Sequence, residues 1–271
     1  MDRIALDLGF IQIYWYSIFI LVGVLFASTI IFRECKRQKI NEDFVTNLIF
    51  YGMIFGLIGA RLYYCLFNLD YYSKYPLEIL EVWNGGLAIH GGIIAGLIFV
   101  FFYTKKYKAK FLKITDIIAP GLILGQAVGR WGNFFNMEAY GRETTRVALE
   151  KLGIPNFVID GMNINGTYYQ PMFLYESIWN VFGFIALLML RKFKYLKTGQ
   201  LTGFYLMWYS FGRFFVEIFR SDSLMLGNLK MAQLMSVGLF IISTCCYNYI
   251  FTDIFIIFCV YYFFIDSIFY T

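Results

Sequence analysis

Apolar and polar stretches alternate along the whole chain on one length scale. Apolar runs fall at roughly 14–32, 45–68, 86–103, 114–128, 172–190, 202–219 and 231–250, separated by shorter stretches that carry most of the charge. A helix needs about 20 apolar residues to cross roughly 30 Å of hydrocarbon, and most of these runs meet that length. Backbone polar groups inside lipid must be satisfied within their own segment, so the runs predict helices. The period-2 alternation of barrel strands is absent. The fourth run is short and carries Asp116 and Pro120, which predicts a tilted, broken or partly re-entrant segment. The pattern therefore predicts an all-α polytopic membrane protein of about seven transmembrane helices.

Basic residues orient these helices. Arg33, Lys36, Arg37 and Lys39 follow the first run, Lys105, Lys106, Lys108, Lys110 and Lys113 the third, and Arg191, Lys192, Lys194 and Lys197 the fifth. Thirteen of the 23 basic residues thus lie on one side, which the positive-inside rule places in the cytoplasm. The N-terminus, 69–85, 129–171 and 220–230 then face outward. The 129–171 segment mixes charges with Gly, Pro and Asn turn signals and is expected to form a small outward-facing cap. We read 1–250 as one transmembrane domain that includes this cap. The apolar tail 251–271 carries Asp253 and Asp266 but no basic residue, and reads either as an eighth span or as an interfacial segment.

Composition agrees with the run pattern. Of 271 residues 59% are hydrophobic and 15% charged, with mean hydropathy +0.62. Disorder is excluded, since it needs low hydrophobicity and many charges. The net charge of +5 reads as membrane topology, not as a nucleic-acid footprint. The five cysteines form no C-x-x-C pair, and His90 is the one histidine, so a disulfide framework, a zinc site and a multi-histidine metal site are not expected. The N-terminus lacks the pattern of a cleaved signal peptide.

Charges within apolar helices are expensive and mark candidate sites. Four places qualify, all on the outward side. The stretch Gly129-Arg130-Trp131-Gly132-Asn133-Phe134-Phe135-Asn136-Met137-Glu138-Ala139-Tyr140-Gly141 offers a guanidinium fork suited to phosphate or carboxylate, two carboxamides, and Glu138 as a partner to hold Arg130. Its blander reading is an interfacial turn with a snorkelling arginine. Arg213 and Glu217 share one face of the sixth run with Tyr209 a turn earlier, and read either as helix glue or as site residues. His90, in Gly85-Gly86-Leu87-Ala88-Ile89-His90-Gly91-Gly92, reads either as a hydrogen-bonded structural residue or as a base. Arg61 and Tyr16 are the weakest candidates. An excess of arginine in a bilayer points to an anionic lipid head group as ligand.

The Gly129–Gly141 run fits G-R-x-G-N-F-x-N-x-E-x-x-G, and the chain resembles the prolipoprotein diacylglyceryl transferase family. Trp15-Tyr16, His90-Gly91-Gly92, and Tyr209 with Arg213-Phe-Phe-Val-Glu217-Ile-Phe-Arg220 follow the family in order, over about 10–240. The tail departs from the family's usual basic ending. The resemblance implies a bacterial cytoplasmic-membrane enzyme acting at the outer face without metal or cofactor. Phosphatidylglycerol and the lipobox cysteine of a prolipoprotein would be its substrates, with glycerol 1-phosphate leaving. Arg130 and Arg213 would grip the phosphate, Glu138 and Glu217 orient them, Asn133 and Asn136 bind the head group or hold the loop, and Gly141 serve loop geometry. His90 would be a base or hydrogen-bond partner, Tyr16 and Tyr209 would line the pocket, and Arg61 would lend support. The rival reading is a transporter or flippase for an anionic lipid or metabolite, which predicts a path to the cytoplasmic side; no inverted repeat is visible to favour it.

Overall fold

The computed structural model describes residues 3–7, 12–220, 225–226 and 229–248. In chain order the elements are the antiparallel pair β1 (Ile4–Asp7) and β2 (Gln12–Tyr14), then α1 (Trp15–Arg37), α2 (Glu42–Phe67) and the single turn α3 (Leu69–Tyr72). Two 3-10 turns, Pro76–Leu80 and Val82–Asn84, lead to α4 (Ile89–Lys106) and α5 (Phe111–Asn136). Next come β3 (Glu143–Thr144), α6 (Arg146–Lys151), α7 (Asn156–Gly161), β4 (Asn163–Ile164) and β5 (Thr167–Tyr169). The chain continues through α8 (Met172–Leu190), α9 (Gln200–Phe219), the pair β6 (Met225–Leu226) and β7 (Leu229–Lys230), and α10 (Met231–Asn248). The tail 251–271 lies outside the described residues.

Each of the seven apolar runs folds as a helix, but not all are equally apolar. Among the described residues five helices, α1, α2, α4, α5 and α8, have the length and hydropathy to cross a membrane. Helix α9 carries Gln200, Ser210, Arg213 and Glu217, which dilute its apolar character. Large apolar side chains point away from the protein, among them Leu21, Leu25 and Phe26 on α1 and Phe55, Leu62 and Leu66 on α2. Such continuous apolar faces would aggregate in water and suit hydrocarbon. The chain is a mostly helical multi-pass membrane protein.

The described residues divide into two compact units, 32–115 and the remainder. In the 32–115 unit α2 packs closely on α4. A Cβ added to Gly59 would stand 2.6 Å from the Gly91 carbonyl oxygen, and one added to Gly92 would stand 3.2 Å from the Gly56 carbonyl oxygen. Glycine at these crossings lets backbone meet backbone, the usual basis of helix association in lipid, where burial of apolar surface gives no net drive.

In the other unit α5 is longer than its apolar run. It passes Pro120 without a break and stays helical to Asn136, so of the expected alternatives a broken segment is corrected, and residues 129–136 are helical. Packing holds it straight: Ala119 and Ile123 are buried against Leu187 of α8 and against Leu201 and Tyr205 of α9. The helix ends where Met137 and Ala139 take positive φ of 54° each. Beyond it β3, β5 and β4 form a small antiparallel sheet, in that order. Phe134, Leu149, Val158, Ile159, Met162 and Phe173 make its apolar core.

Asp116, the costly charge of the fourth run, has a structural use. Its Oδ2 accepts from the Gly199 N–H at 2.6 Å, and its Oδ1 accepts from the Thr202 N–H at 2.8 Å and the Thr202 hydroxyl at 2.7 Å. It therefore caps α9 from another helix, meeting unpaired donors and the positive end of the dipole together. Replacing Asp116 by Ala is expected to cost about 1–3 kcal/mol, and by Asn less, read as a lower melting temperature in detergent.

Candidate active site

Three helices of the larger unit bring charges together. Arg130 sits near the end of α5, Glu176 in the second turn of α8, and Arg213 and Glu217 one turn apart on α9. Arg130 Nε pairs with Glu176 Oε2. Arg213 Nη1 donates to Glu176 Oε1 at 3.5 Å, so each carboxylate oxygen holds one guanidinium. Arg213 Nη2 lies 2.8 Å from Glu217 Oε2, an ion pair in distance though not aligned as a hydrogen bond. Glu217 is 1% exposed and Glu176 8%. The four charges sum to zero, which is how a low-dielectric site tolerates two arginines side by side.

The partner of Arg130 is thus Glu176, and the expectation that Glu138 orients it is corrected. Glu138 is exposed and accepts from Asn136 Nδ2 at 2.5 Å. Helical geometry explains the difference. Arg130 is two turns back along α5 from the point where the chain turns off, whereas α8 runs alongside. Glu176 was missed because it lies in an apolar run, yet it obeys the same rule that singled out Arg213: an acid inside a span needs a reason.

Other residues line up around this cluster. Asn133 is three residues after Arg130, hence on the same face of α5. The Tyr16 ring lies on Gly132, where an added Cβ would be 2.6 Å from the ring, and the phenol is within electrostatic reach of Glu138 and Arg130. Trp15 stacks on Phe135 at 5.0 Å. Tyr209 packs with Tyr205 at 6.4 Å, against the apolar cluster of α5, α8 and α9. Gly141 donates its N–H to the Gln170 carbonyl at 2.9 Å, and a Cβ there would meet the Gln170 Cβ at 2.9 Å, so its lack of a side chain serves close packing.

The far end of α9 is tied as well. Lys230 Nζ donates to the carbonyls of Glu217 at 2.6 Å and Arg220 at 2.9 Å, a cation at the negative end of the helix. Arg142 Nη2 donates to the Ile218 carbonyl at 3.2 Å.

His90 and Arg61 belong to the 32–115 unit. His90 is the half-buried second residue of α4. Arg61 is buried, and its donors are spent on the chain that leads into α4. Nε donates to the Ile79 carbonyl at 2.9 Å, Nη1 to those of Gly85 at 2.7 Å and Gly86 at 3.0 Å, and Nη2 to that of Glu78. Arg61 thus holds the 78–86 segment. Arg130 contrasts with it. Beyond its Nε contact, its terminal amino groups meet no protein acceptor among the described residues.

The chain is thus a helical membrane protein with two arginines held in a charge-balanced cluster between its helices. A sequence model of the prolipoprotein diacylglyceryl transferase family matches residues 3–249, and the chain belongs to that family. Proteins named phosphatidylglycerol–prolipoprotein diacylglyceryl transferase from Bacillus mycoides (strain KBAB4) and Bacillus cereus (strain Q1) are each 49% identical over 243 residues, 90% of this chain and 90% of theirs. One from Bacillus anthracis (strain A0248) is 48% identical over the same share.

Two stability predictions follow from the partner assignments. Glu176→Ala removes the carboxylate shared by two partly buried guanidiniums and strands Arg130, and is expected to cost on the order of 3 kcal/mol, whereas Glu138→Ala should leave the melting temperature within a degree or so of the parent. Arg61→Lys keeps the charge but not the fork, so amide exchange across residues 78–86 should accelerate by about tenfold or more for a loss of 1.4 kcal/mol, with α2 itself unaffected.

Proposed function

We propose that this protein transfers the diacylglyceryl group of phosphatidylglycerol to the lipobox cysteine thiol of prolipoproteins, forming a thioether and releasing glycerol 1-phosphate. The observation that carries it is the Arg130–Glu176–Arg213 cluster, in which one shared carboxylate fixes two guanidiniums while Arg130 keeps its terminal donors available. Family membership supplies the reaction.

The nucleophile belongs to the protein substrate. A free thiol has pKa about 8.5, so only a few per cent is thiolate at neutral pH. Sulfur attacks the glyceride carbon, the C–S bond forms, and the C–O bond to phosphorus breaks. The departing glycerol 1-phosphate takes the electron pair, and the thiol proton passes to an acceptor. Negative charge grows on the leaving phosphate, so donors already aimed at it lower the barrier more than contacts to the resting lipid. Arg130 and Arg213 fill that role, Glu176 and Glu217 hold them, and Asn133, with Tyr16 and Tyr209, lines the head-group side. Asn136 and Glu138 hold the turn after α5, and Gly141 serves its packing. His90 is the proposed proton acceptor on the sequence resemblance alone.

The basic loops support a seven-span arrangement in the bacterial cytoplasmic membrane, with α9 and α10 completing the spans, the sheet-bearing segment as an outward cap, and the reaction at the outer face. Helix α9 crosses in this reading because its charges are paired within the protein.

The test is a mass shift on a lipobox peptide incubated with the purified protein in phosphatidylglycerol vesicles, with glycerol phosphate measured in parallel. Arg130→Lys and Arg213→Lys are each expected to lower turnover by about 10²-fold or more, since lysine keeps the charge but not the planar fork. Near-normal turnover in either would remove the two-guanidinium role. A fully active His90→Ala would remove His90 as acceptor and leave the rest standing.

A further inference from the structure

Helices α8 and α9 carry the same spaced pair, Trp179-Asn-Val-Phe-Gly183 and Trp208-Tyr-Ser-Phe-Gly212. In a helix the residue four positions on donates its N–H to the carbonyl of the first, so its side chain stands beside that carbonyl. Glycine at that position leaves the carbonyl open from the side. Each indole uses the opening on the other helix. Trp179 Nε1 donates to the Trp208 carbonyl at 3.1 Å, and Trp208 Nε1 donates to the Trp179 carbonyl at 3.0 Å. The two rings stack between the helices at 4.3 Å and 16°. A Cβ on Gly212 would stand 2.3 Å from Trp179 Nε1, and one on Gly183 would stand 2.4 Å from Trp208 Nε1. Neither glycine accommodates alanine while the clasp is closed.

The clasp sits beside the charge cluster. Trp179 is three residues from Glu176, and Gly212 adjoins Arg213. Two reciprocal bonds and a stack define both the register and the rotation of one helix against the other; a slide by one turn, about 5.4 Å, would break both. That definition matters because the Arg213–Glu176 contact, at 3.5 Å, is at the limit of hydrogen bonding, so a slip of a fraction of an ångström removes it. Ser177 Oγ donates to the Ala127 carbonyl at 2.9 Å and fixes α8 on α5, while Asp116 and Gln126, whose Nε2 donates to the Tyr205 hydroxyl at 3.0 Å, tie α5 to the first half of α9; the clasp is the hydrogen-bonded tie between α8 and α9 next to Arg213.

We propose that the reciprocal Trp179–Trp208 clasp, seated on Gly212 and Gly183, is the positioning device that sets Arg213 against Glu176 and thereby the spacing of the two guanidiniums. Its effect on turnover rests on the transferase reading above; its effect on arginine geometry does not.

The experiment uses the full chain in phosphatidylglycerol vesicles. Trp208→Phe keeps an aromatic ring and removes the N–H, and Gly212→Ala obstructs the seat of the other indole. Both are expected to lower kcat about tenfold or more with KM for the lipobox peptide unchanged and the melting temperature within a few degrees of the parent. Phenylglyoxal labelling mapped by mass spectrometry should speed up several-fold at Arg213 and remain constant at exposed Arg146. Unchanged kcat and unchanged Arg213 labelling in both variants would overturn the proposal. So would faster labelling at Arg146 and Arg213 alike in Trp208→Phe, which marks general loosening. Should Gly212→Ala not fold, Trp208→Phe decides alone. A parent protein that transfers no lipid would sink the transferase reading, while the labelling contrast still tests the clasp.

Discussion

The larger unit is organised around one carboxylate with two claimants. Glu176 presents one oxygen to Arg130 and the other to Arg213. Two guanidiniums this close in a poorly screened environment repel each other strongly, and desolvation adds to the cost. The shared anion, with Glu217 behind it, reduces the cluster to zero net charge. The arrangement also suits the proposed chemistry. A phosphodiester meets a neutral cluster and is not trapped. As the C–O bond lengthens and charge builds on oxygen, the donors already in place gain more from the transition state than from the substrate, which is the condition for raising kcat.

Holding that cluster falls to polar contacts, because lipid gives helices no reason to associate through apolar surface. Asp116 ties α5 to the start of α9, Ser177 ties α8 to α5, Lys230 closes the end of α9, and the paired indoles register α8 on α9. Asp116 and Lys230 satisfy backbone groups at helix ends that hydrocarbon would leave unpaired, whereas Ser177 and the indoles add a second bond to carbonyls already paired within their helices. The cost of placing a charge or an indole N–H in a span is therefore offset twice, by the bond made and by the neighbour it fixes. Helix α9 accumulates the most such groups, which is why hydropathy ranks it below α5 and α8, the spans it packs against.

The helices themselves were legible in the sequence because lipid demands long apolar runs and nothing else produces them. Their limits were not. Gly129, Gly132 and two asparagines suggested a loop, but glycine beside the Tyr16 ring serves packing, and the helix persists until positive φ at Met137 ends it. Pro120 suggested a break that tertiary packing overrides. Arg130, Arg213 and Glu217 were found because charge in a span stands out. The pairing of Arg130 was not found, because proximity in sequence favoured Glu138 while proximity in space belongs to Glu176. The same limit hid the tryptophan clasp, whose two halves are ordinary until the helices are set side by side.

Arg61 and Arg130 make the remaining point about reading function from charge. Both lie in long apolar helices beside glycines, and the rule that charge in a span marks a site applies to both alike. What separates them is the accounting of donors. Arg61 spends four hydrogen bonds on carbonyls of residues 78–86, and a guanidinium has five N–H groups, so little is left for a ligand. Arg130 spends its Nε on a carboxylate that is itself shared. An arginine saturated by its own backbone is a structural rivet whose loss loosens a loop. An arginine steadied at one nitrogen keeps the donors that the proposed phosphate contact requires. The distinction rests on satisfied and unsatisfied donors, not on burial, since both side chains are largely withdrawn from solvent.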